Sequence, residues 1–423
     1  MPTWKHRAVS TVGIIAPVLA LALAPIPAPL AAEGPQAAPA SPPRRLGPVT
    51  ADDPLIVHTL YTWYTRDSFG RAAVQPLEPF SSDDTDHYRA YFPYLRANGV
   101  DVIAGVLTGL PGERRADGSS LPTSFQAENL LQVIPLVGSA GMKFFIYYDT
   151  AIRSWWKTGL SVGELDLSDP RLRRQLVDDF EWIADEVVKK HLDDYLFLQT
   201  QDGRPVLDDA GLQRPVIAIY VARALHDDAG LDAIKRVLND ELAGMFHRKG
   251  LGRPALVLDA IFWGGETFDA DLVAAFGPNA VALTSFCPVY PREDVHRLAD
   301  WVPLFDGLYE QAAKEMAALA RWGVLDPAME LWPSVMPSFE TRSDKSGKAV
   351  DVADWEAMLR MGLARTARLE KNPDPNPVRA MTIIYTDEYY EGTPLLTNDG
   401  LYTLPLTTQG SVLEEAGINL EKF

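Results

Sequence analysis

Glu388 and Glu391 stand three residues apart in the segment YTDEYYEGTPL, residues 385 to 395. Two carboxyl groups at that spacing can divide one proton-transfer task between them. Cleavage of a glycosidic bond needs such a pair, one carboxyl to protonate the leaving oxygen and one to act as base or nucleophile. Residues three apart share a face if the chain turns helically after a strand, as Gly392 would permit, and lie on opposite faces if the strand continues. Two acids held close also perturb one another, so one stays protonated near neutral pH while its partner remains charged. A solvated acidic loop would show the same spacing.

Other chemistry-bearing residues gather where apolar runs end. Tyr61, Trp63, Tyr64 and Arg66 close the first run, Tyr147, Tyr148 and Asp149 the third, and Asp259 and Trp263 the fifth. Ser338, Phe339, Glu340 and Arg342 follow the seventh, while Thr386, Asp387, Tyr389 and Tyr390 surround the two glutamates of the eighth. Sugar rings present apolar C–H faces and polar edges, and a cleft for them combines aromatic platforms with converging hydrogen-bonding groups. Tyr61, Trp63, Tyr64, Tyr148, Asp149, Asp259, Trp263, Glu340, Asp387 and Tyr390 are therefore candidate substrate contacts.

Metal and cofactor chemistry find no such footing. The seven histidines include no H-E-x-x-H or close pair, and a lone histidine such as His58 or His87 reads as a hydrogen-bonded structural residue. Asp83, Asp84 and Asp86 lack the glycine and terminal glutamate of a calcium loop, so they read as a helix cap. Cys287 is the only cysteine and lies in an apolar run, which reads as a buried, inert thiol. Trp155 and Trp156 read equally as a sugar platform or as a packing pair. The expectation is no metal and no cofactor.

The elements that must position these residues alternate. Eight apolar runs, at 55–64, 100–109, 143–150, 215–222, 254–263, 280–286, 329–337 and 380–388, read as strands, most of them buried on both faces. Amphipathic stretches at 171–190, 227–247, 306–322 and 352–370 read as helices between them. Repeated βα units in this number predict an α/β fold, a (β/α)₈ barrel, whose active site lies at the C-terminal ends of the strands. No G-x-G-x-x-G or P-loop element follows the first strand, which removes the phosphate cradle a nucleotide-binding sheet would need.

The rest of the chain bounds the setting. Lys and Arg number 39 against 57 Asp and Glu, a formal charge of -18 that repels phosphate backbones and anionic membrane surfaces, so no nucleic-acid partner is expected. Residues 1–32 carry Lys5, His6 and Arg7 before an apolar run and then small residues, the pattern of a secretory signal or an uncleaved anchor. Only the anchor reading involves a membrane, and either places the body outside the cytoplasm: secreted, periplasmic or at the cell surface. Residues 33–50 are a Pro/Ala-rich linker and 51–423 the single barrel domain, its residues from Asn398 on reading as a closing extension.

The segment YTDEYYEGTPL resembles the strand-eight motif of glycoside hydrolase family 99, the endo-α-mannosidase-like barrels, whose pattern is close to F-N-E-W-H-E-G-T. LYTWYTRD, NGVDVIAGVLTG, FFIYYD and DGRPVLDDAGLQRPVIAIY resemble that family's first four strand segments, and WPSVMPSFETR its strand seven, which would make Arg342 a substrate contact. Asp387, Tyr389 and Tyr390 replace the motif's Asn, Trp and His, while Ser338 and Glu340 stand where Gly and Asp are usual. The resemblance implies a retaining glycoside hydrolase acting on a poly- or oligosaccharide. In this implied scheme Glu388 assists the substrate's 2-hydroxyl as nucleophile and Glu391 is the acid and base, or the reverse. The altered flanks support one alternative from another class, a non-catalytic carbohydrate-binding barrel at the cell surface.

Overall fold

The computed structural model describes residues 54–64, 80–113, 126–150, 153, 165–200, 203–226, 230–261, 267–285, 298–336, 352–367, 380–383 and 403–418. Arg44–Phe423 forms one compact unit. In chain order its strands are β1 (Leu55–Leu60), β2 (Val102–Leu107), β3 (Lys143–Asp149), β4 (Leu165–Asp166), β5 (Val216–Tyr220), β6 (Leu225–His226), β7 (Ala255–Asp259), β8 (Ala280–Thr284), β9 (Glu330–Trp332), β10 (Ser334–Val335) and β11 (Ala380–Ile383). Its helices are α1 (Thr85–Ala97), α2 (Gln126–Ser139), α3 (Pro170–Trp182), α4 (Asp232–Lys235), α5 (Leu242–Arg248), α6 (Ala270–Ala275), α7 (Leu298–Arg321), α8 (Val352–Ala367) and α9 (Thr403–Glu415). A π-helical stretch extends α3 to Val188, and another joins α4 to α5. Asp84 caps α1, its carboxylate accepting from the N–H of Asp86, as its place in the sequence suggests.

Nine strands pair in parallel in the order β10-β11-β1-β2-β3-β5-β7-β8-β9. The two ends of that order are neighbours in the chain, because only Pro333 separates β9 from β10. β9 pairs with β8 and β10 with β11, so residues 330–335 are one stave whose ladder Pro333 interrupts. Proline has no N–H to give to a ladder and breaks it at that point. Its carbonyl still accepts from the N–H of Thr382 at 3.0 Å. The sheet therefore returns on itself as a (β/α)₈ barrel of eight staves, each inside one of the eight apolar runs of the sequence. The strands are shorter than those runs; β1 stops at Leu60, four residues before its run does.

The phase of each stave follows from its contacts. A Cβ on Gly105 of β2 would meet the Phe144 ring at 2.4 Å and Leu130 of α2 at 2.8 Å, so positions 105 and 144 face the helix layer. Side chains alternate along a strand and in-register partners share a face. Thus Phe145, Tyr147 and Asp149 of β3 face the barrel interior, as do Ala104 and Val106 of β2, their ladder neighbours Phe145 and Tyr147 being on the same side. On the far side of the ring a Cβ on Gly362 of α8 would meet Met381 and Val335, which places those two against the helices and Ala380 and Thr382 inside.

α9 closes the outer layer against α1 and β1. Gln409 is fully buried; its side chain donates to the carbonyl of Asn98 at 3.0 Å and accepts from Nε2 of His58 at 3.1 Å. His58 thus faces the helices, and burial pushes its imidazole down to about 3, the Gln409 bond opposing.

Candidate active site

Four staves end at one level of the barrel with inward side chains. Asp149 is the register partner of Tyr220. Tyr220 and Asp259 each follow the partners Ile219 and Leu258, and Asp259 pairs in turn with Thr284. Thr284 pairs with Trp332, which extends the arc to a fifth stave. Neighbouring strands lie about 4.8 Å apart, so this is a continuous wall of carboxylate, phenol, carboxylate, hydroxyl and indole. Asp149, Asp259, Thr284 and Trp332 are buried and Tyr220 is half-buried. The wall stands at the C-terminal ends of the strands, where barrels of this kind carry their chemistry.

Beneath it lies Tyr147, whose ring is 6.4 Å from that of Tyr220 and meets it edge-on. Burial first, and then the negative fields of Asp259 and of Tyr220, Tyr309 and Asp149, raise its phenol well above the ordinary value. Tyr147 is therefore a neutral hydroxyl at any working pH.

The turn that carries Tyr220 is held from two sides. Val221 adopts φ 48 and ψ 60, a left-handed conformation that a β-branched residue reaches only at a cost of roughly 1–3 kcal/mol. Its N–H donates to Oδ2 of Asp259 at 2.8 Å. The Thr150 hydroxyl donates to the carbonyls of Tyr220 and Val221, the second at 3.0 Å. Three stave ends, β3, β5 and β7, are tied together around Val221, the one non-glycine among the described residues with a left-handed backbone.

The candidates of the first stave form an aromatic corner. Tyr61 is buried and its ring centroid lies 4.7 Å from that of the half-buried Trp63, tilted by 32°. Trp63 meets Tyr64 edge-on, and Tyr64 meets Phe80, on which His87 stacks at 3.9 Å. Burial pushes the His87 imidazole down to about 4 against the pull of Asp84.

Tyr148 turns the other way. It shares the helix-facing side with Phe144, and its hydroxyl donates to Asp179 of α3 at 2.6 Å. Asp179 is also gripped by Arg153, whose Nε donates to Oδ2 at 2.9 Å. The same guanidinium bonds both oxygens of Glu113, one at 3.0 Å, and Glu113 accepts from the N–H of Leu110 at 2.8 Å. Burial opposes the charge of Arg153, and the Asp179 and Glu113 carboxylates overcome that opposition and raise its pKa well above the usual value. Tyr148 is therefore tied into an ionic clamp that joins the loops after β2 and β3 to α3, its hydroxyl on Asp179 on the helix side of the strand.

Of the candidates read from the sequence, the structure brings Asp149 and Asp259 into the wall and puts Tyr61, Trp63 and Tyr64 at the neighbouring corner. Trp263, Glu340, Arg342, Asp387, Glu388, Tyr390 and Glu391 lie outside the described residues, as do Cys287, Trp155 and Trp156. Sequence reasoning named Tyr147 at the end of the third run without choosing it as a contact, and missed Tyr220, Thr284 and Trp332. A two-residue alternation counted back from Asp149 would have found Tyr147, and Tyr220 ends the apolar run of the fourth stave as openly as Asp149 ends the third. Among the described residues no group of three or more His, Cys, Asp or Glu is disposed to hold a metal ion. No described helix is long and apolar enough to cross a membrane.

No family model and no curated protein matches the sequence. Among solved structures, the family 99 endo-α-mannosidase from Bacteroides thetaiotaomicron superposes with a TM-score of 0.51 at 11% identity, over 87% of this chain and 98% of that one. The same enzyme in complex with bis-tris-propane gives the same figures. A modular endo-β-1,4-mannanase from Cellulomonas fimi aligns more loosely, with a TM-score of 0.45 at 12% identity over 88% of this chain and 73% of that one. The backbone thus meets the resemblance read in the sequence at the level of the fold, a (β/α)₈ barrel of the kind the endo-α-mannosidase has.

Proposed function

We propose that this chain is an exported glycoside hydrolase that cleaves glycosidic bonds in a poly- or oligosaccharide with retention, as a divergent relative of family 99. The observation that carries the reading is the inward wall of acids and aromatics at the C-terminal mouth of the barrel, the composition a sugar cleft requires. Two things support it. The eighth stave, β11, ends at Ile383, five residues before Glu388 in the sequence. The family 99 enzyme superposes over nearly its whole length.

In this reading Glu388 takes the proton of the substrate's 2-hydroxyl as that oxygen displaces the leaving group at C1 and Glu391 protonates the departing oxygen; Glu391 then deprotonates a water that attacks C1 and breaks its bond to the 2-oxygen, which recovers its proton from Glu388. The aromatic corner of Tyr61 and Trp63 carries the sugar's apolar face. Residues 1–32 direct the chain out of the cytoplasm, as a cleaved signal or an anchor.

A screen of the purified chain against defined glycans, following new reducing ends, tests the activity, and Glu388→Gln and Glu391→Gln test the pair. Both variants should lose at least about 100-fold in kcat with binding retained, the size of a missing general acid or base. Turnover that survives both substitutions, or a first-formed anomer of inverted configuration, overturns the proposal.

A further inference from the structure

We propose that the wall formed by Asp149, Tyr220, Asp259 and Thr284 is a subsite for a sugar carrying a free amino group, with the ammonium held between the Asp259 carboxylate and the Thr284 hydroxyl. This rests on the glycan-cleaving reading above and names the kind of sugar its mouth prefers.

The first observation is register. Asp259 and Thr284 are directly paired neighbours on β7 and β8, both inward, so their side chains leave the ladder side by side. The second is the hydroxyl itself. Thr284 is 1% exposed and its Oγ1 has no hydrogen-bond partner among the described residues. Buried hydroxyls are nearly always paired, so one aimed into a binding mouth without a partner marks a place for a ligand group.

The character of that group follows from charge. Asp149 and Asp259 flank Tyr220 on the same face, and the fields of both reach the phenol of Tyr147 below. A neutral sugar hydroxyl placed there gives one donor to a carboxylate. An ammonium gives three donors and a positive charge, which meets acceptors on both neighbouring staves. Tyr220 stands half-buried between the two acids in the ladder. The surplus of acids over bases in the chain favours approach of a cationic ligand. An N-acetyl group would remove the charge and the donors that the two buried side chains would meet.

Calorimetry on the full chain with a fully deacetylated chito-oligosaccharide, its N-acetylated counterpart and a neutral manno-oligosaccharide tests the proposal, with reducing-end release followed in parallel. The free amine should bind about tenfold or more tightly than the acetylated oligomer, one charge-assisted hydrogen bond's worth. That preference should disappear when the pH is raised above the amine's own pKa. Thr284→Val, close in shape, and Asp259→Asn should each erase most of the preference while weakening the neutral oligomer less. Asp259 also holds the Val221 N–H, so the valine variant carries the test if the asparagine variant fails to fold.

Equal or tighter binding of the acetylated or neutral oligomer overturns the subsite, and turnover of that oligomer then leaves the hydrolase reading standing. Binding that prefers the free amine without turnover of any glycan keeps the subsite and defeats the hydrolase reading. Binding of none of the three defeats the subsite.

Discussion

Lowering the pH from 7 to 5 should weaken this fold through His58, and replacing His58 with Gln should remove that weakness. Gln409 donates its amide to Asn98, so the oxygen it turns toward His58 is an acceptor and the imidazole carries its proton on Nε2. Nδ1 is then the site of a second proton, and it has no partner among the described residues. Burial depresses the folded pKa to about 3 from the unfolded value of 6.5. Between those values the unfolded chain binds a proton the folded chain refuses, so stability falls as the pH drops through that window. Each unit of pH inside the window costs about 1.4 kcal/mol, and 6.5 to 5 spans one and a half units, giving about 2 kcal/mol. His87 and the carboxylates held low, such as Asp208 and Glu310, change both proteins alike and cancel in the difference. Denaturant unfolding followed by tryptophan fluorescence, on wild type and His58→Gln at both pH values, measures it. His58→Gln should gain about 2 kcal/mol on the wild type between pH 7 and 5. A stability gap that stays constant over that interval would refute the depressed imidazole.

The remaining expectations concern the clamp, the wall and the packing. Arg153→Met leaves Asp179 and Glu113 charged and without their guanidinium, and should lower unfolding free energy by about 3–5 kcal/mol; Arg153→Met combined with Asp179→Asn should recover part of the loss. Tyr148→Phe should cost about 1–2 kcal/mol in chemical denaturation and leave glycan affinity unchanged, because the hydroxyl serves Asp179. Tyr220→Ala should do the reverse, weakening glycan binding in calorimetry by about 1–2 kcal/mol with a smaller effect on stability, since its ring is half-buried at the mouth. Gly105→Ala forces a methyl into the Phe144 ring and Leu130, and should destabilise by about 1–3 kcal/mol, with Gly105→Ala/Phe144→Leu restoring most of it.

The eight staves were legible because a strand buried on both faces is a continuous apolar run, and VIAGVL or ALVLD can be little else between amphipathic stretches. The stave of residues 330–335 was legible as a run but not as a closure, because nothing local says that the two halves on either side of Pro333 bond to different neighbours. α9 was read only as an extension. Its helix is fixed by a long-range partnership, Gln409 with His58 and Asn98, which no spacing in the segment announces.

The site was harder for a reason built into doubly buried strands. When both faces are apolar, hydrophobic alternation no longer tells which residues look inward, so the run FFIYYD offers Tyr147 and Tyr148 on equal terms. The choice between them decides whether a tyrosine meets a sugar or braces a helix. One residue in the sequence carries the missing phase. Gly105 sits in the middle of β2, where a glycine only weakens a strand unless another group must come close. Its close neighbours are Phe144 and Leu130, which identifies its face as the helix-packed one. Counting from Phe144 as the helix-facing position, Tyr148 falls outside and Tyr147 and Asp149 fall inside, and the ladder then carries that phase through Tyr220 and Asp259 to Thr284.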